Sequence, residues 1–284
     1  MKDIVREILM QVFKLSASGV QVDDIKMDDS VLAFIFTTSY GGSTLWGYFA
    51  LVGIAFSLIY FILELNRKLM FEGSDFTAKS LIAPFCKLVG SYYVLSRGGF
   101  IITRLAGIGN SFVDWAHGYF EAASRDALSE AAIGSLLDQM CDGIGFFKAL
   151  ALLLPCFVML LVSLVCSLVW KYKAISYKIE VLYRIGISPI ALADIYSGNN
   201  SQGIRWCKAM LATTLYGASF ILCIALGHMI AFNEIVAQMS ESDFLGSAAS
   251  VWEMISKVAV IVVVPIAEIG AISAIRSALK EALA

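Results

Sequence analysis

The chain has 284 residues, 59% hydrophobic and 15% charged, with a mean hydropathy of +0.78 and a formal net charge of −2. Soluble domains carry about 25% charged residues, and a water-soluble fold of this size could not hide so much apolar surface, so lipid is the solvent that fits. The near-zero charge removes any bulk electrostatic case for nucleic-acid binding.

In chain order, "MKDIVREILMQVFKLSASG" ends in small residues like a signal peptide. Arg6, Glu7, Gln11 and Lys14 interrupt its apolar run, however, so no h-region exists. Ile4, Val5, Ile8, Leu9, Val12 and Phe13 instead recur at helical spacing. They predict an amphipathic helix that lies on a membrane surface or packs on a partner. Four later segments are long and apolar enough to cross a bilayer at about 20 residues each. They are Leu45–Leu65, Phe146–Trp170, Met210–Phe232 and Val251–Ile275. A fifth region, Ser80–Val113, is interrupted by Lys87, Arg97, Gly98, Gly99 and Arg104. It reads as one crossing made by a tilted or broken helix, or as two half-elements meeting at Gly98-Gly99. The fold class is therefore all-α, a polytopic helical membrane protein with about five transmembrane helices; four to six are compatible with the pattern.

Sidedness follows from the basic residues. With the N-terminus outside, the inside segments Asn66–Lys79, Lys171–Ala209 and the tail from Arg276 carry eleven Lys/Arg. The outside segments Met1–Thr44, Asp114–Gly145 and Asn233–Ser250 carry five. The expected organisation is an extracytoplasmic segment (1–44), a transmembrane domain (45–275) and a cytoplasmic tail (276–284). Within the domain lie outer loops 114–145 and 233–250 and a cytoplasmic hairpin, 171–209. In that hairpin "WKYKAISYKIEVLYRIGISPIAL" is basic and amphipathic and continues as helix out of the membrane. Pro189 biases Ser188 away from helix, "SGNNSQG" is a turn cluster, and Arg205, Trp206 and Lys208 anchor the start of the next span. In the outer loop, "FEAASRDALSEAAIGSLLDQM" suits a surface helix.

Catalytic patterns are missing from the sequence. No G-x-x-x-x-G-K-[ST], H-E-x-x-H or G-x-S-x-G is present, and the only histidines are His117 and His228. "GIGNSF" at Gly107–Phe112 lacks the third glycine of a dinucleotide fingerprint and reads as helix packing. "NNS" at Asn199–Ser201 matches a glycosylation sequon on the side where it has no meaning. The six cysteines show no C-x-x-C pair and read as small packing residues. The expectation is a non-enzyme with no catalytic residues, no metal and no cofactor.

Charges inside apolar segments are the informative polar features, because intramembrane charge is expensive and faces a bundle interior or a polar path. Lys87, Arg97 and Arg104 lie in the interrupted region, Glu253 and Lys257 sit four apart on one helix face, and Glu268 follows Pro265. These six are candidates for a polar path or subunit contact. A structural pair, or side chains snorkelling to the interface, is the competing reading; for Lys148 near a span end, snorkelling suffices. The four prolines (Pro84, Pro155, Pro189, Pro265) fall in or beside apolar segments, and Gly47, Gly53 and Ser57 permit close helix contact.

The stretch "LYRIGISPIALADIYSGNNSQGIRWCKAMLATTLYGASFILCIALG", Leu182–Gly227, resembles the core of the TrbL-type polytopic channel proteins of type IV secretion and conjugal-transfer systems. At residue level the resemblance rests on Ser188, Pro189, Gly198, Trp206 and Lys208. In architecture it extends over roughly Leu45–Ile275, including the polar stretch Glu64–Lys68 after the first span. It implies a non-enzymatic subunit of a translocation channel in the bacterial inner membrane, forming homo-oligomers within a larger complex. Its implied partners are other channel subunits, cytoplasmic secretion ATPases and translocating single-stranded DNA or protein. The hairpin residues Arg184, Ser188, Pro189, Asp194, Arg205, Trp206 and Lys208 would then form a docking and pore-mouth element, unless their charges serve topology alone. The competing class is a secondary transporter or small-solute channel with broken helices. A membrane-bound enzyme using Glu268 and His228 is a third.

Overall fold

A computed structural model of the chain describes residues 2–17, 22–37, 39–40, 43–73, 76–124, 134–135, 137–138, 141, 144–197, 201–239 and 251–283. The described residues are helical almost throughout. Helices α1 (Lys2–Ala17), α2 (Val22–Ile25) and α3 (Asp29–Thr37) lead to strands β1 (Ser39–Tyr40) and β2 (Ser43–Thr44), which pair antiparallel with Ser39 opposite Thr44. Long helices follow: α4 (Leu45–Glu72), α5 (Ala78–Ser124), α6 (Phe146–Leu192), α7 (Gln202–Met239) and α8 (Val251–Leu283). The chain divides into two compact units. One comprises 1–25, 112–176 and 216–278, the other 26–111, 177–215 and 279–284.

In the first unit the α1 stripe, apart from half-exposed Ile4, is buried by the chain itself. Val5, Leu9, Val12 and Phe13 pack with Leu137, Cys141, Ala149, Leu152, Cys156, Met159, Ile261 and Val262. The partner of the amphipathic face is thus supplied by α6, α8 and the segment before α6. On its polar side Arg6 pairs with the Asp138 carboxylate. Burial pushes the Cys141 thiol up to about 11, which keeps it protonated and inert at neutral pH. Trp170 of α6 meets Phe220 of α7 edge-on at 4.9 Å, and Arg276 of α8 lies 5.7 Å over the Tyr216 ring. Lys173 Nζ donates to the Ile269 carbonyl (3.0 Å) and to Ser273 Oγ (2.6 Å), tying α6 to α8.

In the second unit Asp28 caps α3, accepting from Ser30 N at 2.9 Å, and the Asn110 side chain brackets the Met27 backbone with bonds of 3.0 and 3.1 Å. The Ser30 bond holds the Asp28 carboxyl below its ordinary range. A depressed folded value makes the cap fully effective above the unfolded aspartate pKa, and its contribution disappears as pH falls through the folded value. Amide protection in the first turn of α3, taken relative to intrinsic exchange at each pH, is therefore expected to fall on acidification below about pH 4, and Asp28→Asn should flatten that response.

Helix α4 starts at Thr44, whose hydroxyl accepts from Gly47 N, and stops at Gly73, which has φ +50°. Of the alternatives left open for 80–113, the breaks are absent: α5 runs as one helix from Ala78 to Ser124. A glycine costs about 1 kcal/mol in a helix without stopping it, and here the pair makes room for aromatic rings. A Cβ on Gly98 would lie 2.6 Å from the Trp46 ring, and one on Gly99 would lie 3.2 Å from Phe36.

Pro189 likewise does not end α6, which continues to Leu192. A proline frees the carbonyl four residues earlier. Here that carbonyl belongs to Ile185, and the buried Ser188 hydroxyl donates to it at 2.5 Å. The same repair recurs at Pro84, where Lys68 Nζ donates to the freed Ser80 carbonyl at 3.0 Å.

Four described helices are long and apolar enough to cross a membrane: α4, α6, α7 over Gln202–Gly227 and α8 over Ala259–Ala282. They contain, or largely overlap, the four strong spans read from the sequence. Helix α5 has the length, but its charges keep it short of that apolarity. Helix α6 has 47 residues, over twice what a crossing needs, so the expected helical continuation beyond Trp170 is present. Of the expected surface helix in the outer loop, Phe120–Ser124 closes α5; residues 125–133 lie outside the described residues.

Candidate functional site

From Tyr177 on the hairpin belongs to the second unit, and its sequence signals become a cross-braced turn. The chain leaves α6 at Leu192, makes a short 3-10 turn at Ile195–Ser197 and enters α7 at Gln202. The Asp194 carboxylate accepts from the backbone N–H groups of Gln202 and Gly203, each at 3.0 Å, an acidic cap on the positive end of α7. Ser201 Oγ accepts from Ile204 N at 3.3 Å. Trp206 is buried and its indole N–H donates to the Arg184 carbonyl at 3.0 Å, bridging α6 and α7. Removing the cap in Asp194→Ala should cost about 1 kcal/mol, read as a lower unfolding midpoint in detergent, with Asp194→Asn losing less.

The hairpin is clamped to α4. Gly53 lies so close to α6 that a Cβ there would sit 2.5 Å from the Pro189 carbonyl oxygen, and the buried Ser57 hydroxyl donates to the Ala193 carbonyl at 2.9 Å. Ser188, Pro189, Asp194 and Trp206 are thus brought together as structural members. Arg184 is engaged by Glu180 one turn away (2.9 Å), and Lys280 reaches the same carboxylate at 3.7 Å. Arg205 and Lys208 stay exposed on α7. Gly198 lies outside the described residues.

The intramembrane candidates fall in both units. Lys87 pairs with Glu64 at 2.6 Å. Arg97 and Arg104 are exposed on α5, and Arg104 stacks 5.1 Å over Phe100 of its own helix. The side chains of Glu253, Lys257 and His228 lie outside the described residues. Glu268, in the first unit, is 4% exposed. It lines a cavity of about 540 Å³ between α7 and α8, together with Ser219, Leu222, Cys223, Leu226, Gly227 and others. The Glu268 carboxyl lies over Gly227, so a side chain at 227 would make that carboxyl move. Cys223 Sγ lies 3.9 Å from the Glu268 carbonyl.

Sequence reasoning passed over Glu180, although its i,i+4 spacing to Arg184 is visible, and Gly227, which no local pattern marks. Among the described residues no cluster of His, Cys, Asp or Glu could hold a metal.

The exposed surface of the apolar helices is itself hydrophobic: on α4 alone Leu51, Val52, Phe56, Leu58, Ile59, Ile62 and Leu63 face outward. Such a surface is stable against lipid tails and not against water. No protein-family model, no curated protein and no solved structure matches the chain. Fold and surface define its class: a polytopic, multi-pass helical membrane protein in contact with the bilayer.

Proposed function

We propose that the chain is a non-enzymatic integral subunit of a type IV secretion or conjugal-transfer channel in the bacterial inner membrane. It helps pass single-stranded DNA or a protein substrate across that membrane, oligomerises within a larger complex, and works with other channel subunits and separate cytoplasmic ATPases. The observation that carries this reading is the hairpin. Trp206, one of the residues that carry the TrbL resemblance, bonds from α7 to α6, and Asp194 caps α7, so the short turn between two apolar helices is braced. A braced turn presenting exposed Arg205 and Lys208 suits docking on an acidic partner or a phosphate backbone. Arg184, held by Glu180, is a positioning residue on this reading, and the hairpin faces the cytoplasm with the N-terminus outside.

The test is an in-frame deletion in the native host, complemented in trans and scored for conjugative transfer and growth. Transfer should collapse and return on complementation with growth unchanged. Arg205→Glu with Lys208→Glu should lower transfer at normal protein levels. Unchanged transfer in a donor with active mating machinery rejects the proposal. The competing reading, a transporter built on broken helices, loses support at Gly98-Gly99 and Pro189, where the helices are continuous. The Glu268 cavity is the one observation in its favour.

A further inference from the structure

We propose that the exposed face of α5 around Arg97 and Arg104 is a binding site for the headgroup phosphate of an anionic phospholipid, whose acyl chains lie along Ile82, Phe85, Val89 and Tyr93. The inference rests on the chain's being a multi-pass membrane protein and stands whichever function the whole chain serves.

Depth comes first. Within the second unit α5 runs antiparallel along α4, and three contacts set the register: Lys68 with the Ser80 carbonyl (3.0 Å), Glu64 with Lys87 (2.6 Å), and Gly98 against the Trp46 ring. The apolar part of α4, residues 45–65, is about 30 Å long, the thickness of the hydrocarbon layer, so its ends mark the two edges of that layer. Gly98, level with Trp46, puts Arg97 at one edge. Arg104 starts about 10 Å further along the axis, with its guanidinium over the Phe100 ring at 5.1 Å, among the headgroups.

The face itself comes second. Leu95, Ile102 and Ala106 bury one side of α5. Tyr93, Arg97, Phe100, Arg104 and Ile108 recur at helical spacing on the other side and are exposed. Among the described residues neither guanidinium has a carboxylate partner. A cation at the edge of the hydrocarbon is costly without a counter-charge, and the anion a bilayer supplies at that depth is a lipid phosphate. The guanidinium fork matches phosphate oxygens. Two such cations select a lipid of net negative charge, since they repel a choline ammonium. Toward the hydrocarbon the same face continues as exposed, apolar Ile82, Phe85 and Val89, a track for acyl chains. An acidic protein segment would have to carry its carboxylates to this depth and desolvate them, whereas a phospholipid already holds anion and chain at these two levels.

The experiment is native mass spectrometry of the purified full chain in an uncharged detergent with equimolar dioleoyl phosphatidylglycerol and dioleoyl phosphatidylcholine. The first lipid retained is expected to be phosphatidylglycerol by at least tenfold, and glycerophosphoglycerol, the headgroup without chains, should not displace it. Arg97→Gln with Arg104→Gln should bring the ratio below threefold. Arg67→Gln with Lys79→Gln removes the same charge at the other end of the α4–α5 pair and should leave the ratio within twofold of wild type. Each variant is compared at matched helicity and monodispersity. Should the double arginine variant not fold, Arg104→Gln alone, expected to lower the ratio at least threefold, carries the test. A wild-type ratio below tenfold, displacement by the bare headgroup, a folded arginine variant that keeps its preference, or an equal loss at Arg67 and Lys79 would each overturn the proposal. So would a dimer that dissociates in the arginine variant without any lipid preference, which would assign the face to protein.

Discussion

Gly53→Val is expected to lose about 3 kcal/mol of stability, seen as a lower midpoint when the purified protein is titrated with SDS in maltoside micelles. The obstacle is backbone. A Cβ at position 53 would lie 2.5 Å from the Pro189 oxygen and 2.9 Å from its carbonyl carbon, and neither atom can rotate away. Helix α4 must back off, and as it does the Ser57 hydroxyl leaves the Ala193 carbonyl, so one substitution removes a packing contact and a buried hydrogen bond. Gly53→Ala meets the same oxygen with a smaller group and should fall between. If Gly53→Val unfolds like wild type, α4 does not rest on the hairpin.

Leu9→Ala should cost about 3 kcal/mol as well, because Leu9 is sealed inside the cluster that joins α1 to α6 and α8. The comparison with Arg6→Ala separates two pictures of α1. Arg6 sits on the polar side, paired with a largely exposed Asp138, and its removal should barely move the midpoint. A helix lying on a membrane surface gives the reverse pattern: Leu9→Ala then leaves folding alone and weakens only lipid association. The readout is the SDS midpoint of each variant, with accelerated amide exchange across 2–17 in Leu9→Ala.

The four strong crossings were legible in the sequence because hydropathy reports directly which solvent a segment prefers. The α1 stripe was legible as a face, but periodicity says nothing about what covers that face, and Leu152 or Ile261 lies far along the chain from Leu9. The breaks that Gly98-Gly99 and Pro189 suggest are absent for a common reason. Their local cost to a helix is written in the residue, whereas the compensation sits elsewhere: in the Trp46 and Phe36 rings for the glycines and in the Ser188 hydroxyl for the proline. The acidic and aromatic residues of the hairpin were recognised, but not their intrachain bonds. Asp194 and Trp206 spend their hydrogen bonds on the chain itself, which spacing cannot distinguish from docking. The Glu268 cavity was half visible: the charge stood out, and the glycine that accommodates it did not.

The Ser188 bond to the Ile185 carbonyl also has an evolutionary consequence. Pro189→Ala restores a backbone N–H and makes the hydroxyl redundant, so a lineage can lose the proline first at little cost and then drift freely at the serine. The opposite order passes through a chain with a buried carbonyl stripped of its donor. Ser188 and Pro189 are therefore an epistatic pair with a one-way route out, and relatives that lack the serine should be found to lack the proline too.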